Sequence, residues 1–555
     1  MSFISGKRAF LELLKQEGVD TIFGNPGTTE LPLMDILAVE QEIRYVLALQ
    51  EAAVMGMADG YAQASGRLAV VNLHVAPGLG NALGMLYDAQ KAGSPILVTA
   101  GQHDQSFTLT EPILWAELTT IARPFVKWAA EVRRLADLPR AVHRAAKTAL
   151  APPTGPVFLS IPADVLNAEA ELDLGAPTRI ASGLRGDPRA IEQAAELLAR
   201  AERPLVIAGD IVAQSDAHIE LVRLAELIGA PVYLESIPST ASFPSSHPLY
   251  RGAMTRLAPA IREVLERHDL LFSVGGDLFT LSLPSDVEPV PPGLPILHLD
   301  ADPWELGKNH AAAVAILGDP KHTLPELVEM ISARADPDFA ARAARRREAA
   351  SAAAASERDT LRDRARSLAE ARPAQPLALL HAIAEALPRD AVVVEEALSS
   401  GAGLRQLIAS EDAKSFFGLR GGGIGWGLPA AVGVKLAQPE RPVIAIVGDG
   451  SAMYTCQALW TAAHEGLNIA FVILNNGSYR ILKQRTKALR GYAEQTGTYV
   501  AMDLNDPPID FLALARSFGL RAKRAETVAE AVQALRGALD GAGPTLIDVA
   551  LDPSI

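Results

Sequence analysis

A short apolar run that stops on Gly-Asp-Gly constrains this chain more than any other feature. Val443 to Val447 is continuously aliphatic, Gly448-Asp449-Gly450-Ser451 interrupts it, and a second run, Phe471 to Leu474, ends at Asn475-Asn476-Gly477-Ser478. Uninterrupted runs of this kind read as strands buried on both faces of a parallel sheet. Ala452 to Glu465, between them, has apolar residues at helical spacing. The spacing therefore predicts a strand–helix–strand unit that puts Asp449 and Asn476 on one sheet edge, where open α/β sheets bind ligands. Asp, Asn and a backbone carbonyl are hard oxygen donors that suit Mg²⁺, which keeps part of its shell for phosphates. Gly448 and Gly450 let backbone N–H groups approach those phosphates, and Ser451 opens a helix whose N-terminus attracts anions. The stretch reads as a cradle for Mg²⁺ and a diphosphate. Gly-Asp-Gly alone is also an ordinary turn; its pairing with the second strand and Asn-Asn makes the reading specific.

A chain of 555 residues exceeds a single core and predicts about three domains. The charge of −14 argues against nucleic acid as a main partner. Cys456 is the single cysteine, which excludes an intrachain disulfide and a cysteine metal site. The first residues lack the apolar core of a signal peptide, and no 18-residue apolar run offers a membrane span. The expectation is a soluble, cytoplasmic enzyme acting on small molecules.

The predicted fold class is α/β, with three doubly wound domains built on parallel sheets. Residues 1–180 alternate helical patterns with apolar strands at Thr21-Ile22-Phe23, Arg44 to Leu47, Leu68 to Val71 and Pro95 to Val98. Residues 181–335 form a second α/β unit around Pro204 to Asp210 and Leu270 to Gly276, without a G-x-G-x-x-G motif. Residues 336–374, rich in Ala, Arg and Glu, read as an exposed helical connector whose arginines form a solvated face. Residues 375–555 hold the opening motif. The first and last of these regions share a strand, glycine-turn, helix, strand pattern, which hints at two related domains.

Three further stretches accompany the motif: Phe23-Gly24-Asn25-Pro26-Gly27, Ala48-Leu49-Gln50-Glu51-Ala52-Ala53 and Gly422-Gly423-Ile424-Gly425. Together they resemble the thiamine diphosphate-dependent 2-oxoacid decarboxylases and carboligases. Glu30-Leu31-Pro32, Ala58 to Ser65, His74 before a Pro-Gly turn, Leu428 to Ala431 and Leu459 to Ala463 bring the chain nearest to benzoylformate decarboxylases. The resemblance implies a pyrimidine-binding, a middle and a diphosphate-binding domain. It also implies an active site shared between subunits, hence a homodimer at minimum and a homotetramer as the usual form.

Carried over residue by residue, it assigns Glu51 to the aminopyrimidine, where its proton favours the tautomer that activates the cofactor. The apolar run from Ala52 to Ala58 already marks Glu51 as a buried carboxylate rather than a solvated one. Ile424 would hold the cofactor in its bent form and the Gly422 carbonyl would accept its amino group. Asp449, Asn476 and the Ser478 carbonyl would hold Mg²⁺, and Ser399, Gly450, Ser451 and Tyr454 the diphosphate. Asn25, Pro26, Gly27, Asn81 and Tyr479 complete the implied cofactor shell. Catalytic roles fall to His74, as a proton relay near neutral pH, and to Thr28, where relatives carry a serine for the substrate carboxylate.

The chain also departs from the benzoylformate pattern. Leu398 replaces a threonine. The second active-site histidine has no counterpart near Ser282, which leaves His103 or water for late proton transfer. Tyr479-Arg480-Ile481-Leu482-Lys483-Gln484-Arg485 replaces the residues of a phenyl pocket, so Arg480 or Arg485 is a candidate for a second carboxylate, with solvent or a subunit salt bridge as the alternative. The leading expectation is decarboxylation of a benzoylformate-like 2-oxoacid to an aldehyde and CO₂, with carboligation to 2-hydroxyketones as a side activity. Ser478-Tyr479-Arg480 also resembles acetolactate synthases, whose substrate is pyruvate. A nucleotide-binding regulatory or redox protein on the same fold would need glycine motifs that the chain lacks.

Overall fold

Fully buried strands follow from runs such as Val70-Val71 and Ile444 to Val447, and in the computed structural model, which describes residues 2–555, they assemble into three six-stranded parallel sheets. The first sheet holds Thr21–Gly24, Arg44–Leu47, Ala69–Leu73, Ile96–Gln102, Ala129–Glu131 and Val157–Pro162. Numbered by appearance, these stand in the order 2-1-3-4-6-5. The third sheet holds Val392–Glu396, Phe416–Gly418, Val443–Gly448, Ile469–Asn475, Arg521–Ala525 and Thr545–Ala550, in the same order. The middle sheet, from Pro204–Ala208 to Val314–Leu317, runs 3-2-1-4-5-6. An antiparallel ribbon of Ser2–Ser5 with Glu169–Leu172, which the sequence pattern did not suggest, closes the first unit.

Helix Glu51–Ser65 of the first unit crosses helix Gly427–Ala437 of the third so closely that both need glycine. A Cβ on Gly433 would come within 1.9 Å of the Met57 carbonyl, and one on Gly56 within 2.6 Å of Pro429. One apolar core, including Met57, Leu86, Trp426, Leu428 and Phe471, therefore runs through both units. Trp426 Nε1 donates to Asp59 at 2.6 Å within it.

Two expectations change. The connector is a 31-residue helix, Pro337–Ser367, but it lies on the middle unit rather than free in solvent. Phe339, Ala343, Ala350 and Ala354 are buried, and half-buried Arg346 donates to the carbonyls of Ile228 and Ala201, which close two helix ends. The helix expected over 452–465 is two short ones, Asp449–Ala452 and Ala458–His464. Between them Thr455 Oγ1 donates to the Gly425 carbonyl, drawing the chain down onto that loop.

Candidate active site

Strand ends place the polar residues that the sequence singled out. In the first unit, Glu51 is the first residue of its helix, where backbone N–H groups favour a carboxylate. Gln50 caps that helix by accepting from Ala53 N at 3.1 Å. Glu51 is 9% exposed, and its two oxygens accept from Asn25 Nδ2 at 3.3 Å and Asn81 Nδ2 at 3.0 Å. Both amides come from the same unit, and Gly78 packs against the carboxylate.

His74 follows strand Ala69–Leu73 and caps helix Val75–Ala92. Its Nδ1 lies 2.8 Å from Glu30 Oε2 and 3.2 Å from Thr29 Oγ1, and its ring fits beneath Gly27, where a Cβ would come within 2.2 Å. With Nδ1 on a carboxylate, Nε2 is the nitrogen left for chemistry. Val75 has φ 37°, an uncommon value for a β-branched residue, directly after the histidine.

Glu30 organises this corner. It is 1% exposed and accepts from Gly27 N at 2.9 Å, Gly101 N at 2.9 Å and Thr29 Oγ1 at 2.7 Å besides meeting His74. In the sequence Glu30 stands out only as part of Glu30-Leu31-Pro32. Its spacing three residues after Gly27, a capping-box pattern, was the available local signal. Thr28 is exposed. Among the described residues, His103 Nε2 is buried without a partner, the ring standing edge-on to Phe107 at 5.8 Å.

In the third unit Gly448 pairs with Leu474, so Asp449 and Asn476 leave neighbouring strands side by side. Asp449 is 2% exposed, and its Oδ2 has no hydrogen-bond partner among the described residues. Burial pushes its carboxyl up to about 6, against nearby backbone N–H groups that pull it down. Asn476 Oδ1 accepts from Ser478 Oγ at 2.8 Å. Gly450 lies under the Tyr479 ring, where a Cβ would come within 2.6 Å. Ser451 is buried, Tyr454 is half-exposed, and Ser399 sits on the loop after strand Val392–Glu396. Buried Glu396, pushed up to about 7 by its burial, accepts from Gly425 N and Gly427 N at 2.6 Å each. Gly422 is exposed at φ 90° with open space where a Cβ would stand, and Ile424 is partly buried beside it.

The structure separates the two candidate arginines. Arg480 is 6% exposed and turned into its own unit, donating to the Asp552 carbonyl at 2.9 Å and Ser400 Oγ at 2.6 Å. Arg485 instead reaches Ser282 Oγ, at 3.4 Å, across from the middle unit. Ile481 is partly buried between them. No hydrogen bond among the described residues joins the Glu51 corner to the Asp449 corner. A cavity of about 430 Å³ opens where the three units meet, lined by Gln63, Thr154, Gln214, Asp319 and Lys414 among others, and it contains none of these candidate residues.

An acidic side chain with an unsatisfied oxygen, an amide and a carbonyl at one strand edge fit a hard cation. No cluster of three or more His, Cys, Asp or Glu competes for one among the described residues. Beside them Gly448 is uncrowded, the Glu396 carbonyl being 3.9 Å from where a Cβ would stand. Comparison with known proteins agrees with this chemistry. Residues 4–115 match the thiamine pyrophosphate enzyme N-terminal TPP binding domain, 191–327 the central domain and 402–549 the C-terminal TPP binding domain. The chain is 36% identical to a benzoylformate decarboxylase of Pseudomonas aeruginosa over 98% of both chains. It is 30% identical to a putative acetolactate synthase large subunit of Mycobacterium tuberculosis over 100% of both. Among solved structures, a thiamine diphosphate-dependent 4-hydroxybenzoylformate decarboxylase of Rhodococcus jostii superposes with TM-score 0.87 at 32% identity, covering 99% of this chain and 100% of that one.

Proposed function

The chain belongs to the thiamine pyrophosphate enzymes, and on that premise we propose that it decarboxylates a 2-oxoacid of the benzoylformate type to an aldehyde and CO₂. The observation that carries the proposal is the pairing of Glu51, buried between two amides, with Asp449, buried with one oxygen unpartnered. Asp449, Asn476 and the Ser478 carbonyl would hold Mg²⁺. Ser399, Gly450, Ser451, Tyr454 and Tyr479 would face the diphosphate, and Gly422, Ile424, Asn25, Pro26, Gly27 and Asn81 the rest of the cofactor. Thiamine diphosphate, when bound, would supply a nucleophilic carbon and an electron sink for decarboxylation.

The chain's own residues supply orientation and protons. Glu51 holds or releases a proton at its buried carboxyl, with Asn25 and Asn81 fixing both oxygens. His74, held at Nδ1 by Glu30, moves a proton at Nε2. The exposed hydroxyl of Thr28 would donate to the substrate carboxylate. His103, with its unpartnered Nε2, is the candidate that replaces a middle-domain histidine for late protonation. A second aldehyde entering before that step would give a 2-hydroxyketone, so carboligation accompanies the proposal.

As the resemblance to that family implies, we place the working site between the first domain of one copy and the third of another. A homodimer is the minimum and a tetramer the expected form. Leu109 and Ile113, exposed to 97% and 82% on the loop after strand Ile96–Gln102, support a covered face there. No helix of the described chain is long and apolar enough to cross a membrane.

The second reading is an acetolactate-synthase-like carboligase acting on pyruvate, favoured by the full-length likeness to that putative large subunit. Product analysis separates the two. Benzoylformate, pyruvate, longer 2-oxoacids and 2-oxo-diacids are offered with and without thiamine diphosphate and Mg²⁺. Benzaldehyde and CO₂ from benzoylformate, dependent on both additions, support the first reading. An acyloin acid from pyruvate supports the second, and turnover indifferent to thiamine diphosphate defeats both.

A further inference from the structure

The glycine loop that precedes helix Gly427–Ala437 has almost no side chains with which to hold its shape. Gly422 and Gly425 stand at φ 90° and 102°, conformations that packing alone does not fix. The loop is instead anchored at three points, each to a buried carboxylate. Gly425 N donates to Glu396 of its own unit, and Gly423 N donates to Asp88 of the first unit at 2.9 Å. The third anchor is Arg420, one residue before the glycines, and its partners are in the middle unit.

Arg420 Nη2 lies 2.8 Å from Glu235 Oε2 and 3.6 Å from Asp277 Oδ1, while Nη1 donates to the Ile237 carbonyl. Glu235 is 1% exposed, so this is a desolvated pair rather than a surface one. The chain on both sides is held in register. Thr240 bridges antiparallel to Phe417, Gly418 N donates to Ser239 O at 2.8 Å, and Arg405 donates to the carbonyls of Pro238 and Thr240. Asp277 also accepts from Thr280 at 2.5 Å and begins the segment that ends at Ser282, the residue that meets Arg485. Arg420 thus joins the middle unit's strand-end segment to the loop bearing Gly422 and Ile424.

We propose that Arg420 is a positioning residue through which Glu235 and Asp277 of the middle domain set where Gly422 and Ile424 stand, and so how tightly the cofactor is held. The cofactor part rests on the function proposed above; the loop part does not. Arg420→Met, Arg420→Lys and Asp277→Asn are made in the full-length protein. Thiamine diphosphate affinity is read from quenching of tryptophan fluorescence, Trp426 lying beside the loop. Amide exchange over residues 419–427 is read in the cofactor-free protein.

Arg420→Met is expected to weaken thiamine diphosphate binding about 10- to 100-fold, as loss of a supporting partner typically does, and to speed exchange across the loop. At saturating cofactor its kcat falls while KM for the 2-oxoacid moves less. Arg420→Lys recovers part of the affinity, since a point charge cannot reproduce the forked contact. Where Arg420→Met does not fold, Asp277→Asn, which keeps the Glu235 pair, decides with a smaller shift in the same direction. Folded variants with wild-type affinity and wild-type exchange overturn the proposal. Wild-type protein that takes up no thiamine diphosphate overturns the functional reading and the cofactor part of this one, and the exchange measurement then still decides whether Arg420 fixes the loop.

Discussion

The first and third sheets have the same strand order, 2-1-3-4-6-5, yet their ends hold opposite chemistry. After the first strand comes Asn25 in one and Ser399 in the other; after the third comes His74 in one and Asp449 in the other. The second strand leads to Glu51 in the first unit and to Gly422 and Ile424 in the third, and the fourth leads to His103 and to Asn476 respectively. One edge is furnished with titratable side chains, Glu51, His74 and His103. The other is furnished with oxygen donors and bare backbone. The middle sheet, ordered 3-2-1-4-5-6, supplies neither and instead grips the third unit through Arg420. Topology sets where a side chain can act, and the residue at each strand end sets what it does there.

The sharpest test of that division is Glu51→Gln. If the first edge is the protonic one, turnover falls by about 10²- to 10⁴-fold while thiamine diphosphate and Mg²⁺ still bind and the melting temperature holds. Normal turnover in a folded variant would break the comparison outright. Asp449→Asn is the mirror experiment. Wild-type protein is expected to melt higher with Mg²⁺ and thiamine diphosphate together, by a stabilisation of about 2.7 kcal/mol when ligand stands at about 100 times its dissociation constant. The variant is expected to lose that shift. A variant still stabilised by the pair would move the cation away from this edge.

The two edges were not equally legible. Asp449 and Asn476 were readable because aliphatic runs fix strand ends to within a residue, and strand ends fix the side chains that follow. Glu51 was readable because its neighbours are apolar. Glu30 was not, because its partners His74 and Gly101 lie 44 and 71 residues away. Arg480 looked like a substrate-facing cation for the same reason: Ser400 and the Asp552 carbonyl, which turn it inward, lie 80 and 72 residues off. Arg346 was read as solvated because helix propensity says nothing of the carbonyls it meets. Contacts between segments far apart in the chain escape any local pattern.

Glu30→Gln tests the part that was missed. It keeps the side chain's size and removes the charge that holds His74 Nδ1. The expected loss in kcat/KM is about tenfold, the low end for a partner that orients a working group. An unchanged kcat/KM would leave Glu30 as a brace for the turn at Gly27 and no more.

The finest distinction is between two buried aspartates, one on each side of the comparison, that each leave an oxygen without a partner among the described residues: Asp88 Oδ2 and Asp449 Oδ2. Asp449 stands beside Asn476 and Ser478, the residues proposed to share a cation with it. Asp88 lies in helix Val75–Ala92 against Gly421 and Gly423, with Asp59 and Glu396 nearby, and a proton completes it. Burial, reinforced by those two carboxyls, pushes Asp88 up to about 8. Between its ordinary value of 3.8 and about 8 the folded protein holds a proton that the unfolded chain has released. The stabilising contribution is therefore full below the ordinary value and is lost as pH rises towards 8, at about 1.4 kcal/mol per pH unit for one proton. Asp88→Asn keeps an oxygen for Gly423 N and removes the titration. The variant's melting temperature is expected to fall less than the wild type's between pH 5 and pH 8, with Glu396 retaining part of the slope. An identical slope would mean that Asp88 is ionised in the fold, and the two orphaned oxygens would then be alike after all.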